Sequence, residues 1–235
     1  MSDLVVAPAK LTRSLRVTGV RGDGLHLIDA EMVSIDLADE LRFEPGDGLV
    51  VDGGSPEVPT DDDNLVRRAL AAVERTARVH LVKRIPSGAG LGGGSSDAAA
   101  VLRWAGCTDL AVAARLGADV PFCVSGGRAR VRGIGEQVDP LPHLDLAFTL
   151  LTPPVHCSTA AVYRAWDDLG GPTADGPNDL EPAALVVAPE LAGWRDRLRE
   201  ATGQVPVLAG SGSTWFVEGA HPGPGHLVVR TVSSP

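Results

Sequence analysis

Three places in the chain carry residues that could do chemistry. They are a lysine just after a proline (Lys10), a run of glycines and serines from Pro86 to Ala100, and an acid between a glycine and a proline (Asp119). From Ser87 to Ser96, five glycines and three serines fill eight of the ten positions. Glycine lets backbone N–H groups come close to a ligand and reach φ > 0. An apolar alternating run, Val79–Ile85, precedes the glycines, and an alanine-rich helical stretch follows them. The order strand, glycine loop, helix start offers free N–H donors at the positive end of a helix dipole. That is an anion site, suited to nucleotide phosphates. Asp97 falls early in the helix, where it would repel phosphate if it turned inward. It is expected to point away or to help hold a cation.

The glycine run is not a Walker loop, because no Gly-Lys-Ser/Thr closes it. GAGLGG is also a poor dinucleotide fingerprint, since no acid about 20 residues on ends a second strand. Glycine clusters make linkers too, but linkers seldom stand between a strand pattern and a helix pattern. An isolated lysine is ordinarily a solvated charge and an isolated aspartate ordinarily a cap, so the combination carries the inference. Phosphoryl transfer to an alcohol needs a nucleotide cradle, a group that takes the hydroxyl proton, and positive charge on the moving phosphoryl. The 86–96 run, Asp119 and Lys10 supply one of each.

The elements that must position these groups follow from periodicity and breakers. Leu4–Val6 reads as a strand ended by Pro8, and Leu11–Thr18 as a second strand. Gly22–Gly24 turns the chain, and Val33–Leu37 and Asp39–Phe43 read as strands about a turn. Leu49–Val51 is a short strand closed by Asp52-Gly53-Gly54, and Pro56–Asp63 is an exposed acidic loop. Asn64 caps a helix over Leu65–Thr76. Val79–Ile85 is a strand whose Lys83-Arg84 brings positive charge to the loop entrance. Helices follow at Ser96–Ala105 and Asp109–Leu116. Pro121 is expected to begin an apolar strand directly after Asp119. Arg128, Arg130 and Arg132 alternate on one strand face, either a solvated edge or a wall against phosphates. Strands are expected at Leu146–Leu151, Val205–Leu208, Trp215–Glu218 and Leu227–Val232, and helices at Ser158–Leu169 and Pro189–Thr202. A second glycine–serine loop, Ala209–Thr214, precedes Trp215.

The 235 residues make up one large domain or two small ones, and 44% apolar content suffices for a core although aromatics are only 4%. A net charge of −9 argues against a basic nucleic-acid face. No signal peptide and no apolar run near ~18 residues is present, which predicts a protein of the cytoplasm without a membrane partner. Three scattered cysteines, Cys107, Cys123 and Cys157, fit buried thiols in a reducing compartment. The histidines show no metal-ligand spacing.

PAKL at 8–11, PSGAGLGGGSSDAA at 86–99 and AGSGST at 209–214 resemble the three motifs of the GHMP small-molecule kinases. RGDGLHLID at 21–29, DNLV at 63–66, LGADVPF at 116–122 and NDLEP at 178–182 are similar to one branch of that family, which acts on a cytidine-diphosphate-linked methylerythritol. The motifs stand in the family's order along nearly the whole chain. The resemblance implies an α+β, two-domain GHMP kinase fold. An N-terminal domain like ribosomal protein S5 domain 2 would span 1–138, and a ferredoxin-like C-terminal domain 139–235. It implies a left-handed βαβ unit, against the usual rule. It also implies transfer of the γ-phosphoryl of ATP, with Mg²⁺, to the 2-hydroxyl of 4-CDP-2-C-methyl-D-erythritol in the non-mevalonate route to isoprenoids.

On that resemblance Asp119 would be the general base, and Lys10 would hold it and make the attacking hydroxyl more acidic. Pro86, Ser87, Gly88, Ala89, Gly90, Leu91, Gly92, Gly93, Gly94, Ser95 and Ser96 would cradle the ATP phosphates, with Asn64 and Leu65 near the adenine. His26 would hydrogen-bond the cytosine, and Thr159 and Tyr163 would line the cytidine pocket. Thr12 and Leu25 stand where the family usually has Asn and Tyr. Threonine reaches less far than asparagine, and leucine keeps apolar contact with the base but loses stacking, worth about 1–3 kcal/mol. These departures leave two other readings: a GHMP kinase for another small alcohol, or a nucleotide-binding paralogue without catalysis.

Overall fold

The computed structural model describes residues 2–53 and 58–233. Two sheets carry the architecture. In chain order the first part runs β1 (Asp3–Val20), β2 (His26–Glu44), β3 (Gly48–Gly53), α1 (Leu65–Ala72), β4 (Arg78–Lys83), α2 (Gly93–Trp104), α3 (Leu110–Leu116), α4 (Val120–Ser125), β5 (Arg128–Gly133) and β6 (Gln137–Pro140). The second runs β7 (Ala147–Leu151), α5 (Thr159–Asp168), α6 (Glu181–Val187), α7 (Leu191–Thr202), β8 (Val207–Leu208), β9 (Trp215–Glu218) and β10 (His226–Arg230). The first sheet has the order β3-β4-β2-β5-β6, with β1 along the other edge of β2. The second is antiparallel in the order β10-β7-β9-β8.

β1 and β2 form a long antiparallel ribbon, and here two sequence expectations give way. Pro8 does not end a strand, and no turn parts Val33–Leu37 from Asp39–Phe43. Both elements run on through bulges, one of them between Pro8 and Lys10, where the partner jumps from Ala38 to Ser34. A proline is tolerated in an edge strand at such a bulge. A bulge also re-aims the side chains beside it, and Lys10 is one of these. Gly54 and Pro56–Glu57 of the expected turn and acidic loop lie outside the described residues.

β3 and β4 are parallel, joined through α1, which Asn64 caps by accepting from Val66 N–H at 2.8 Å. α1 ends at Ala72, short of Thr76, and β4 ends at Lys83. Pro121 opens a helix, not a strand. Its missing N–H costs nothing in a first helical turn, and its fixed φ suits one. The strand begins only at Arg128.

One cluster of buried side chains lies under the helices of both parts. It includes Leu41, Phe43, Leu81, Val101 and Leu102 from the first part and Val162, Trp166 and Leu191 from the second. A second cluster joins the sheets to each other: Leu11, Val33 and Ile35 meet Phe148, Leu150 and Phe216, with Ile85 and Leu91 of the glycine stretch among them. The two parts also exchange backbone. Leu15 N–H donates to Pro177 C=O at 2.8 Å, and Val232 N–H donates to Ser34 C=O at 2.9 Å. β6 stays in the first sheet to Pro140, so the boundary expected at 138/139 cuts a strand. The passage between sheets runs through 141–146.

Candidate active site

A cavity of about 540 Å³ lies between the glycine stretch and the start of the second part. Its donor side is backbone. Gly88, Gly90 and Gly92 take φ of 68°, 77° and 69°, so left-handed residues alternate with others along the loop. α2 starts at Gly93 with no side-chain cap. Its first N–H groups are therefore left for a ligand. Two glycines are required by close approach. A Cβ on Gly90 would fall 2.2 Å from Ala209 O, and one on Gly92 would fall 2.7 Å from Lys10 Cγ. The loop is tied on both sides, by Lys10 N–H to Leu91 C=O at 3.0 Å and by Thr214 N–H to Ala89 C=O at 3.2 Å.

Lys10 is 6% exposed. Its ammonium lies 3.2 Å from Asp119 Oδ2 and donates to Thr12 Oγ1 at 3.1 Å. Asp119 precedes α4 as a cap residue whose side chain makes no capping bond. Its carboxylate is 31% exposed on the cavity wall. The ammonium has room because position 210 is glycine: a Cβ there would come within 3.3 Å of Nζ.

Behind the loop lies a buried ion cluster. Lys83 donates to Asp39 and, at 2.7 Å, to Asp97 Oδ2. Asp39 Oδ1 also accepts Arg84 N–H at 2.5 Å and Ile85 N–H at 2.8 Å. Burial, offset by Lys83 and reinforced by Asp39, pushes the Asp97 carboxyl up to about 7. Burial works against the Lys83 ammonium, but Asp97 and Asp39 outweigh it and hold it above its ordinary value. Lys83 is thus spent on buried carboxylates and brings no free charge to the loop entrance, contrary to expectation. Asp97 is held by Lys83. The arginine stripe of β5 is neutralised as well: Arg130 pairs with Asp29, Arg128 with Glu31 and Arg132 with Asp139. It forms a paired outer face, not a wall against phosphates.

The acceptor side is made of side chains. Tyr163 and Thr159 of α5 line the cavity beside Thr12, with Leu15, Ile28 and Met32 as apolar wall. Thr159 Oγ1 and Ser211 Oγ are 2.9 Å apart. His26 packs against Tyr163 with centroids 4.5 Å apart and the rings tilted by 31°, and meets Trp166 edge-on at 5.6 Å. Its Nε2 lies 2.8 Å from Asp167 Oδ1. Burial holds the Tyr163 hydroxyl above its ordinary value, with the charge of Asp119 adding to it.

The pattern described as "GHMP kinases N terminal domain" matches residues 64–127. The 4-diphosphocytidyl-2-C-methyl-D-erythritol kinase of Ruegeria pomeroyi is 39% identical over 94% of this chain and 89% of its own length. That of Paracoccus denitrificans is 39% identical over 89% of this chain and 84% of its own. This chain belongs to the 4-diphosphocytidyl-2-C-methyl-D-erythritol kinases. A crystal structure of 4-(cytidine 5'-diphospho)-2C-methyl-D-erythritol kinase superposes with a TM-score of 0.72 at 35% identity, over 92% of this chain and 89% of the other. A homoserine kinase from Cytophaga hutchinsonii shares the fold with a TM-score of 0.63 at 21% identity.

Within this kinase family's pattern, the residues expected at the site separate into two groups. Lys10, Asp119, Thr12, Asn64, Leu65, Thr159 and Tyr163 line the cavity, as do Pro86–Gly90 and Gly92–Ser95. Leu91 and Ser96 do not. Leu91 is 1% exposed in the inter-sheet core. Ser96 Oγ donates to Pro8 C=O at 2.6 Å, so it ties α2 to β1 and is turned away from any phosphate. Leu25 lies outside the cavity wall, 45% exposed, because it sits in the turn between β1 and β2. His26 reaches the site through its contact with Tyr163. Asn64 already uses its side chain twice, as a cap and as donor to Pro59 C=O at 2.6 Å.

Sequence reasoning gave no role to Asn178, Gly210 and Ser211. Asn178 is 1% exposed and donates to Leu208 C=O at 2.8 Å and Gly210 C=O at 2.7 Å, holding the 209–214 loop against Lys10. A polar pair, Asn178-Asp179, just before a helical run was the available signal. Asp39 carried none, since one acid in an alternating strand reads as solvent-facing.

Proposed function

We propose that the chain transfers the γ-phosphoryl of ATP to the 2-hydroxyl of 4-CDP-2-C-methyl-D-erythritol. One observation carries the reading: Lys10 and Asp119 form an ion pair where the open helix N-terminus meets the aromatic acceptor pocket. The free N–H groups of the glycine stretch and α2 bind the phosphates, and the dipole favours their charge. Asn64 and Leu65 flank the nucleoside. Tyr163, Thr159 and the His26 ring hold the cytidine end of the acceptor, and Thr12 sits beside the branched alcohol.

Asp119 takes the proton of the attacking hydroxyl. The Lys10 ammonium, held by Asp119 and Thr12, stabilises the charge that develops on the oxygen and on the transferring phosphoryl. No cluster of three acidic, histidine or cysteine side chains converges on a metal site among the described residues. The described residues offer no built cage, so a divalent cation would arrive with the nucleotide's phosphates, and no step above runs through it.

The test is ADP release from purified protein with ATP, Mg²⁺ and the CDP-linked alcohol, run beside methylerythritol lacking the CDP group. Turnover with the CDP-linked alcohol and little without the nucleotide group is the expected result. No turnover at millimolar substrate, or equal turnover of another alcohol such as homoserine or mevalonate, would reject the reading.

A further inference from the structure

The ion cluster behind the glycine stretch has no part in the chemistry above, yet it touches both ends of the loop. Asp39 binds the N–H groups of Arg84 and Ile85, where β4 leaves its sheet. Lys83 passes the connection on to Asp97, in the second turn of α2. The cluster reaches the phosphate end of the helix directly, since a Cβ on Gly93 would come within 3.1 Å of Lys83 Nζ. Lys83 and Asp97 both form part of the cavity wall. The second Asp97 oxygen, Oδ1, is buried with no hydrogen-bond partner.

The charges do not cancel. With both carboxylates ionised, one ammonium faces two negative groups in a region less than about a twentieth exposed. Elsewhere around the cavity the charged groups are Lys10 paired with Asp119, across the loop, and the carboxylate of Asp63. An uncompensated negative charge at the helix N-terminus opposes the anion that this terminus is shaped to bind.

We infer that Asp39, Lys83 and Asp97 form a positioning unit for the nucleotide, in which Asp97 takes up a proton as the phosphates bind. This rests on the reading that the glycine stretch holds a nucleotide. The proton removes the excess negative charge and leaves Lys83 wholly to Asp39, so the loop stays anchored. The cluster acts through the loop and never touches the transferred group.

The direction follows from the position of Asp97. Burial, with the Asp39 charge beside it, pushes its carboxyl up to about 7, so below that pH the cluster is neutral overall and favours phosphate. Above it the cluster carries one excess negative charge and opposes phosphate.

The experiment is ADP binding by calorimetry from pH 6 to 8, without acceptor, in wild type, Asp97→Asn and Asp39→Asn. Wild type is expected to bind ADP about three- to tenfold more tightly at pH 6 than at pH 8, beyond the change seen in Asp97→Asn, which reports the nucleotide's own titration. In Asp39→Asn the step should move down by about one pH unit or more, because one of the charges raising Asp97 is gone. A merely structural cluster would lower Tm and leave the pH dependence of binding the same in all three proteins, and that result overturns the inference. Should Asp39→Asn fail to fold, wild type against Asp97→Asn decides alone. If ADP does not bind at all, the nucleotide reading falls and takes this inference with it. Failure to phosphorylate the CDP-linked alcohol would leave the calorimetric result standing.

Discussion

The donor side of the cavity is built from one stretch of consecutive residues and works through its backbone. The acceptor side is built from side chains on β1, β2, α5 and the 209–214 loop. On the donor side specificity is geometric: alternating left-handed glycines and an uncapped helix start present N–H groups to any phosphate. On the other side the wall is chemical: one tyrosine, the histidine packed against it and the hydroxyls of Thr12 and Thr159 stand there. A backbone site tolerates few substitutions because it has no side chain to exchange. A side-chain site can drift one residue at a time, and here Thr12 departs from the family's pattern at the cavity while the glycine stretch keeps it. Lys10 and Asp119 sit at the seam.

The seam should show the largest effect. Asp119→Asn is expected to lower kcat by about 10²–10⁴ while ADP binding stays within a few fold. An equal fall in Tm and activity would instead make Asp119 structural. Next comes the backbone side. Gly90→Ala places a methyl group 2.2 Å from Ala209 O at φ +77°. It is expected to cost roughly 1–3 kcal/mol, seen as a lower Tm together with a higher KM for ATP. Unchanged KM for ATP would mean the loop's shape does not matter to the nucleotide.

Tyr163→Ala should raise the KM for the acceptor by about ten- to a hundredfold, the worth of one base–aromatic contact, and leave ADP affinity alone. An effect on both ligands would erase the distinction between the two sides. The smallest effect is expected from Asp167→Ala. It frees the His26 ring from a partly exposed partner and should raise acceptor KM by about two- to fivefold. A pair of this kind near the surface does not support more.

Much of this molecule was legible because its function is written in local backbone. The strand before the glycines, the open α2 start and the Asn64 cap all follow from residues a few places apart. Periodicity failed where tertiary pairing overrode it. Pro8 looks like a breaker and the residues between Leu37 and Asp39 like a turn, but β2 has partners on both edges and carries the ribbon through them. Pro121 looks like a strand start, yet a proline suits a first helical turn equally well. Leu25 and Ser96 fell off the site because motif membership does not say which way a side chain points.

The sequence by itself determined that a glycine run would lead into a helix start with free N–H groups, and it singled out, besides that run, a lysine and an aspartate as chemically able side chains. Those are properties of residue type and short-range order. Only the tertiary structure decided that Lys10 is aimed by a β-bulge at Asp119, and that Lys83 is spent on two buried carboxylates instead of facing phosphate. It also put Asn178, 168 residues beyond Lys10, in place to hold the loop that leaves room for the Lys10 ammonium. Charges are assigned their partners only when distant strands pack, because burial makes an unpaired charge too costly to keep.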